Sequence, residues 1–407
     1  MPQVSVTQQR RARSMSDQSQ PTRPAMIRLL LLFVPLAVML GAFVWIASLD
    51  PLRSFNNGAP PVEALTVERT ILDETGIQIL VRAGGSEAMQ IAQVAVDDAY
   101  WTFTQAPPGA VARGTAVWVR IPYPWVLGEA HRVALLSNTG TAFEHEIAVA
   151  VPTPKATAGQ LRIQALVGAI VGLLPVALGL MFYPAMRGVG RTGMNFLLAL
   201  TVGLLAFLLI DMTLEALELS AGAAALFQGS AMVWLTALAC FLLLMAIGRW
   251  RGQPEGLALA FYIALGIGLH NFGEGLAIGG AFAAGSAGLG TFLVLGFALH
   301  NVTEGIGIAA PMLRIRPPLW TFAALTLLAG GPAVLGMWTG SLAYAPQWSA
   351  LALAVGAGAI LQVMVEVSAY LMRQNSDRQA ALFSPAVLGG FLGGLAFMYA
   401  TAALIKV

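Results

Sequence analysis

The sequence predicts an α-helical polytopic membrane protein that carries a small β-rich domain near its N-terminus. Of the 407 residues, 57% are hydrophobic and only 10% are charged, whereas soluble proteins contain about 25% charged residues. From residue 160 onward the chain is a series of apolar segments, each long enough for the roughly 20 residues that cross a bilayer as a helix. Residues 51–157 differ, because short β-rich segments alternate there with Gly, Pro and Asn.

The first 49 residues predict a tail and a membrane anchor. Residues 1–25 are polar and rich in Ser, Gln and Arg, which favours a disordered cytoplasmic tail. The apolar run 26–49 is longer than the roughly 7–15 apolar residues of a signal peptide. We therefore expect a retained transmembrane helix with its basic end in the cytoplasm.

Residues 51–157 predict an extracytoplasmic β-sandwich of immunoglobulin-like type. The β-rich segments are Thr66–Val81, Gln90–Tyr100, Ala116–Ile121, His131–Leu136 and Ala142–Val151. Residues 137–140 read as a hairpin turn. The single cysteine, Cys240, lies outside this region, so no disulfide supports an antibody-type domain. Strand alternation places His145 opposite its acidic neighbours, which favours a solvated strand over a metal cluster.

The region 160–405 predicts a bundle of eight membrane-spanning helices, which makes nine spans with the anchor. The eight apolar segments are 160–184, 194–218, 225–248, 256–283, 287–312, 318–343, 349–372 and 384–405. Arginines fall in alternate connectors, namely Arg187 and Arg191, Arg249 and Arg251, Arg314 and Arg316, and Arg373 and Arg378. The connectors between them lack Lys and Arg. The positive-inside rule then places the N-terminus inside and the β-domain and C-terminus outside the cell (inner) membrane. Membrane lipid is an expected partner, and a net charge of +2 without a basic patch gives no sign of nucleic-acid binding.

Two neighbouring spans carry the same polar pattern in their middle. Residues 269–276 read LHNFGEGL and residues 299–306 read LHNVTEGI. In each copy a His and a Glu four residues apart share a helix face, flanked by an Asn. The predicted ligands are His270, Asn271, Glu274, His300, Asn301 and Glu304.

Ionisable groups at such depth indicate a functional site. Two carboxylates would balance one divalent cation, and imidazole with carboxylate favours zinc, iron(II) or manganese over calcium or magnesium. The alternative is that His and Glu only bond each other between helices.

Further polar residues in the spans allow two interpretations each. Asp211, Glu215 and Glu218 follow an i, i+4, i+7 pattern, which predicts either a cation entrance or a solvated helix end. Gln362 and Glu366 are four residues apart nearer the inner side, where they would mark a cation exit or a hydrogen bond between packed helices.

With two His-Asn-x-x-Glu-Gly motifs on successive spans, residues 160–405 resemble the ZIP (Zrt-, Irt-like) metal transporters. The resemblance implies an eight-helix bundle with both ends outside, a transport site at the two motifs, and alternating access, often as a homodimer. The chain departs from the family pattern at Gly273 and Thr303, where relatives have Pro, and at Gly331, where relatives often have a site carboxylate.

We therefore expect a non-enzymatic transporter of divalent transition metals, zinc foremost and then iron, manganese and cadmium, with the ion as cargo and not as a cofactor. Two ions would bring a charge of +4 against −2 from Glu274 and Glu304, so we expect a single ion at the site. One alternative is a membrane-embedded metal-dependent hydrolase, although the His-Glu-x-x-His pattern is absent. The other is a metal sensor that does not transport.

Overall fold

The computed structural model describes residues 25–49, 61–155, 157–250, 252–283, 287–343, 345–374 and 382–405. The predicted tail therefore lies outside the described residues, apart from residue 25. The chain divides into one unit of residues 1–60 and one of residues 61–407. In the first unit, helix α1 (Ala25–Leu49) covers the predicted anchor.

The second unit begins with two four-stranded antiparallel sheets. The strands are β1 (Leu65–Asp73), β2 (Gly76–Ala83), β3 (Ile91–Val96), β4 (Ala99–Trp101), β5 (Thr104–Ala106), β6 (Ala116–Ile121), β7 (His131–Ser137) and β8 (Ala142–Ile147). The strand order is β1-β2-β6-β5 in one sheet and β4-β3-β7-β8 in the other. Alternate residues of both sheets, such as Ile79, Val119, Val94 and Leu135, form one buried core.

Several strand boundaries differ from the prediction. The segment Thr66–Val81 contains two strands, because Gly76 has φ +126° and closes a tight turn between β1 and β2. Asp73 stabilises this turn by accepting hydrogen bonds from the backbone N–H and hydroxyl of Thr75, and the hydroxyl bond is the main reason why the pKa of Asp73 is lowered. The short strand β5 was not predicted.

Helices make up the rest of the chain. They are α2 (Ala158–Gly168), α3 (Leu174–Met181), α4 (Tyr183–Met186), α5 (Arg191–Ala221), α6 (Gly229–Arg249), α7 (Gly256–Ala283), α8 (Ala287–Ala309), α9 (Leu319–Gly330), α10 (Pro332–Ala343), α11 (Pro346–Arg373) and α12 (Pro385–Ile405). Among the described residues, 7 helical segments are long and apolar enough to cross a membrane. The coarse fold prediction of a polytopic, mostly helical protein with small antiparallel sheets is thus confirmed, while the count of eight spans stays a prediction. Helix α8 has 23 residues, about 35 Å at 1.5 Å per residue.

Two predicted spans are irregular inside. Segment 160–184 contains a π-helical turn, Ala169–Leu173, between α2 and α3. Segment 318–343 divides at Gly331 into α9 and α10, because Pro332 lacks an N–H group and cannot continue the hydrogen-bond ladder. The two irregularities touch, since a Cβ added to Gly172 would lie 2.3 Å from the carbonyl oxygen of Gly330.

Backbone contacts at glycines join α2–α4 and α7–α10 into one set of helices, which we call the motif group. A Cβ added to Gly275 would lie 2.1 Å from the Ala333 carbonyl oxygen, which brings α7 against α10. One added to Gly179 would lie 2.0 Å from the Val302 carbonyl oxygen, which brings α3 against α8. Such close approach is possible only without side chains.

The helices α5, α6, α11 and α12 form a second set, the flanking group, through similar contacts. Gly203 lies against the backbone of Phe391, and Gly358 against that of Ala237. Between the two groups the backbones lie farther apart, since an added Cβ would lie 3.2 Å from the Ala359 carbonyl oxygen at Gly266 and 3.4 Å from the His270 Cα at Gly356. Side chains fill the closest positions. Thr201 faces Gly307, and Val363 faces Gly266. Backbone packing therefore defines two internally close-packed bodies with a side-chain interface between them.

Candidate metal centre

The two motifs lie on α7 and α8, inside the helical bundle. In the most apolar part of α7, 56% of the residues are buried inside the protein, compared with 17% for α6. His270, Glu274, His300 and Glu304 are each 2% exposed. Asn271 and Asn301 are completely buried. The structure thus brings all six residues of the two motifs into the interior of the protein.

The imidazoles and carboxylates of the two helices face one another. His300 Nε2 lies 2.6 Å from Glu274 Oε1. His270 Nε2 lies 3.0 Å from the same oxygen and 3.7 Å from Glu304 Oε1. The centres of the two imidazole rings are 6.1 Å apart. The motifs therefore converge on one place, as their matched depth predicts.

Each motif asparagine is held by a backbone carbonyl of an irregular segment. Asn301 Nδ2 donates to the carbonyl of Val171 in the π-helical turn at 3.0 Å and to Glu274 Oε2 at 3.1 Å. Asn271 Nδ2 donates to the carbonyl of Ala329, just before the α9–α10 break, at 2.9 Å. Helix irregularities often occur at functional sites because they free such groups. Sequence reasoning missed both carbonyls.

Several polar atoms of the site make no well-aligned hydrogen bond among the described residues, although His270 Nε2 lies 3.0 Å from Glu274 Oε1. They make up 6 of the 12 buried side-chain nitrogen and oxygen atoms without a hydrogen bond: both ring nitrogens of His270, Oδ1 of Asn271, Oδ1 of Asn301 and both carboxylate oxygens of Glu304. Leaving a buried polar group unpaired costs about 1–3 kcal/mol. A water molecule or an ion bound between the two helices would satisfy them.

The donor atoms fit a divalent transition metal. Donors of His270, His300 and Glu304 lie within 4.8 Å of one another. Zinc bonds to nitrogen and oxygen are about 2 Å long, so ligands of one ion lie at most about 4 Å apart. A small inward shift would therefore complete a shared coordination sphere, and the amide oxygens of the asparagines are additional hard donors.

Two of the three predicted entrance residues lie beside this centre. Asp211 and Glu215 line a cavity of about 20 Å³ together with His270 and Glu274. This is about the space for one water molecule. Glu218 is exposed farther along α5. Asp211 and Glu215 thus adjoin the centre, as a cation entrance requires, whereas Glu218 does not line this cavity.

The predicted exit residues lie on α11, where Gln362 Oε1 would be 3.4 Å from a Cβ added to Gly266 of α7. Glu366 is fully buried and accepts a hydrogen bond from Arg249 of α6 at 2.8 Å. Gln362 is 1% exposed, and its Nε2 lacks a partner among the described residues. The ion pair joins two helices of the flanking group, which is the packing role that the sequence left as the alternative.

The structure also shows the surroundings of the two motif positions that lack the family proline, and of His145. Thr303 stands where the ZIP pattern has a proline, and it donates its hydroxyl to the His300 carbonyl at 2.6 Å. Gly273 faces the side chains of Met212 and Leu353, each 3.0 Å from an added Cβ. Helices α7 and α8 stay unbroken at both positions. His145 is half-buried and bonds to Thr70.

Comparison with models of known protein families and with curated protein sequences gives no match to either. The assignment of function therefore depends on the motifs and on the geometry of the centre.

Proposed function

We propose that the protein is a transporter of divalent transition-metal ions, with zinc as its foremost cargo and iron(II), manganese and cadmium as further cargo. The observation that carries the proposal is the convergence of His270, Glu274, His300 and Glu304 at a buried centre rich in unpaired donors. Two carboxylates and neutral imidazoles balance one divalent ion, which lowers the cost of holding the charge in the membrane.

We further propose that the chain is a member of the ZIP family. The paired motifs and the length of the helical segments support this assignment, as do the eight spans that the sequence predicts. The same resemblance implies alternating access and a homodimer. The positions of the arginines support an inner-membrane orientation with the β-domain and C-terminus outside. The strand order of the β-domain supports the immunoglobulin-like type, in which strands A, B, E and D form one sheet and C, F and G the other. Strands β1, β2, β6 and β5 correspond to A, B, E and D, and β3, β7 and β8 correspond to C, F and G, with β4 added at the edge.

The residues of the centre would share the work of holding an ion. Glu274 and Glu304 supply charge, and His270 and His300 supply the softer nitrogen donors that favour zinc over calcium. Asn271 and Asn301 are fixed through their nitrogens, so their oxygens are free to face the ion. Asp211 and Glu215 line the adjoining cavity, where their carboxyl oxygens would be ligands for a cation on its way to the centre.

Uptake of metal into proteoliposomes tests the proposal. The purified protein should carry zinc, and a panel of iron(II), manganese and cadmium establishes preference. Replacing a ligand by alanine, as in His270→Ala or Glu304→Ala, should reduce uptake to the rate of vesicles without protein. Glu144→Gln changes an exposed carboxylate of β8 and serves as the matched control.

The result that contradicts the proposal is equally specific. If His270→Ala and Glu304→Ala leave the flux of all four metals unchanged, the centre is not a transport site. Metal-dependent cleavage of a lipid or peptide without ion flux would instead favour the hydrolase.

A further inference from the structure

Two adjacent residues of strand β1 contact the two helices that meet at the α10–α11 junction. Arg69 Nη2 donates to the carbonyl of Leu342 in the last turn of α10 at 2.5 Å. Glu68 Oε1 accepts from Gln347 Nε2 in the first turn of α11 at 2.9 Å. The β-domain therefore contacts both the motif group, through α10, and the flanking group, through α11.

The charges of this contact match the helix ends. The last carbonyls of a helix lack intrahelical partners and carry partial negative charge, which favours a nearby guanidinium such as Arg69. The first turn of a helix carries partial positive charge, which favours a carboxylate such as Glu68. One strand thus supplies the favourable charge to the end of α10 and to the start of α11.

The attachment to the flanking group involves two side chains of the β-domain, Glu68 and Arg82, which also bind each other. Glu68 is 4% exposed and accepts from Arg82 Nε at 2.5 Å and from Arg82 Nη2 at 3.1 Å. Arg82 also lies over the ring of Phe227, just before α6, at 5.5 Å. A buried, bidentate ion pair of this kind holds its geometry well.

The β-domain continues along the chain from β8 into α2 of the motif group, and among the described residues one side-chain hydrogen bond adds to this connection. Arg69 is half-buried and has only the bond to Leu342 among the described residues. A cavity of about 430 Å³ adjoins it, lined by β1, by β8 and by residues such as Gly280 and Ser341 of α7 and α10. The guanidinium therefore has space to move away from α10 without any change in the β-domain.

We infer that the β-domain is a latch that stays on the flanking group through Glu68 and Arg82 and that holds the motif group through Arg69. The α10–α11 junction is the place where the chain crosses between the groups on the β-domain side, while the connections α4–α5 and α6–α7 contain arginines and belong to the other end. Arg69 is a positioning residue for α10, which packs on the motif helix α7, and Glu68 is one for the start of α11. That the latch affects transport depends on the proposed function; that it links the two groups does not.

Hydrogen exchange of the full-length protein in lipid nanodiscs tests the link. Arg69→Met removes the guanidinium and keeps the apolar stem. It should raise exchange in the last turn of α10 roughly three- to tenfold, which corresponds to the net loss of one typical hydrogen bond. Arg120→Met, at an exposed arginine of β6, should leave that exchange unchanged. Equal exchange in the two variants would overturn the inference.

Spin-label distances separate a latch from a purely structural contact. In a Cys240→Ser background, labels at Glu129→Cys on the β-domain and Thr339→Cys on α10 should give one narrow distance. Addition of Arg69→Met should broaden it or add a second distance, and addition of Arg120→Met should not. A distance distribution that Arg69→Met leaves unchanged would overturn the latch.

Zinc uptake is then compared between the same variants. A changed uptake rate in Arg69→Met alone supports control of the site by the latch. If the distances respond but no variant, including the parent, carries metal, the proposed function fails and the latch stands. If Arg69→Met changes the distances while uptake equals that of a parent that transports, the control of transport is overturned.

Discussion

At the scale of single residues, the amides of the two motif asparagines provide orientation. A carboxamide has a donor and an acceptor end. Because the nitrogens of Asn271 and Asn301 are occupied by backbone carbonyls, the oxygens must face elsewhere. A carboxylate could not replace either asparagine here, since it has no N–H group to donate to the backbone carbonyl.

Replacement of Asn271 by leucine should therefore destabilise the bundle. Asn271→Leu leaves the buried carbonyl of Ala329 without its partner, which costs about 1–3 kcal/mol of unfolding free energy. Zinc affinity should fall as well. Thermal unfolding in detergent and calorimetric zinc titration measure the two effects. The control is Thr339→Val at an exposed hydroxyl of α10, and an Asn271→Leu protein that unfolds like this control would contradict the assignment.

The number of ions at the centre follows from charge. Glu274 and Glu304 balance a single divalent ion, and Gly331 supplies no carboxylate. A Cβ at Gly331 would lie 2.4 Å from the Leu327 carbonyl oxygen, so a longer side chain does not fit there without a shift. Glu366 is paired with Arg249. The acids nearest to the ligands are instead Asp211 and Glu215, which line the adjoining cavity.

We accordingly predict one zinc or cadmium ion among the motif ligands. Anomalous scattering from crystals soaked in either metal should give a single strong peak between His270 and His300. The matched crystal is Glu304→Ala, in which that peak should weaken. Two adjacent peaks bridged by the motif glutamates would show that the charge argument is wrong.

At the scale of elements, the contact between the π-helical turn and the α9–α10 break holds the site together. Gly172→Ala would place a methyl group 2.3 Å from the Gly330 carbonyl oxygen, and overpacking typically costs about 1–3 kcal/mol. It should also displace Val171 from Asn301 and so weaken zinc binding. Unfolding curves and zinc titration test this expectation.

Helix α2 offers the matched control for this substitution. An added Cβ at Gly159 has nothing within 4 Å, so Gly159→Ala should be neutral or slightly stabilising. If both alanine variants behave alike, close backbone approach at Gly172 does not position the site.

The contact between β1 and β8 should depend on pH. His145 Nε2 and Thr70 Oγ1 are 2.9 Å apart, and burial lowers the pKa of His145 below its ordinary value of 6.5. The folded state therefore favours the neutral ring, and in the interval between the folded and unfolded pKa values the unfolded chain binds more protons. The contribution of His145 to the free energy of unfolding is fully present above pH 6.5 and is lost as the pH falls below that value.

Hydrogen exchange of β8 in the full-length protein measures this dependence. Exchange, corrected for the intrinsic rate, should accelerate as the pH falls below 6.5. His145→Gln should remove this acceleration, whereas Glu146→Gln at an exposed neighbour should keep it. Acceleration that persists in His145→Gln would assign the effect to another group.

Sequence patterns predicted the elements more completely than their irregularities. Apolar length predicted the helices because a membrane span needs a fixed number of apolar residues. The α9–α10 break has a signal in the sequence, since residues 330–332 read GGP. The π-helical turn has none, because one extra residue per turn does not change an apolar composition. The surroundings of His145 were also not predictable in full. Strand alternation predicts which face of the strand His145 lies on, but not its hydrogen bond with Thr70 of the other sheet.

The centre was predictable to the extent that it follows from helix periodicity. Spacing of four residues placed His270 with Glu274 and His300 with Glu304, and matched depth brought the pairs together. The carbonyls of Val171 and Ala329 were not predictable, because each depends on tertiary contact between distant helices. The same holds for Arg249, whose partner Glu366 lies on another helix.

At the scale of the whole molecule, the second unit has two chemically different ends. Tyr183, next to the α4–α5 connector, donates its hydroxyl to the carbonyl of Ile315 in the α8–α9 connector. Arg373, at the end of α11, donates to Gln253 in the α6–α7 connector. Each of these hydrogen bonds links two arginine-bearing connectors. The β-domain contacts the α10–α11 junction instead, which contains no Lys or Arg. The segregation of arginines that the sequence shows is therefore matched by contacts in the fold.

Cysteine labelling tests the orientation that this asymmetry predicts. In a Cys240→Ser background, Glu129→Cys of the β-domain should react with a membrane-impermeant maleimide in intact spheroplasts. Arg316→Cys should react only after the membrane is permeabilised, because arginine-bearing connectors are retained on the cytoplasmic side. The background protein without an added cysteine controls for nonspecific labelling. The reverse pattern would place Asp211 and Glu215 on the cytoplasmic approach to the centre, and would make them an exit for cations and not an entrance.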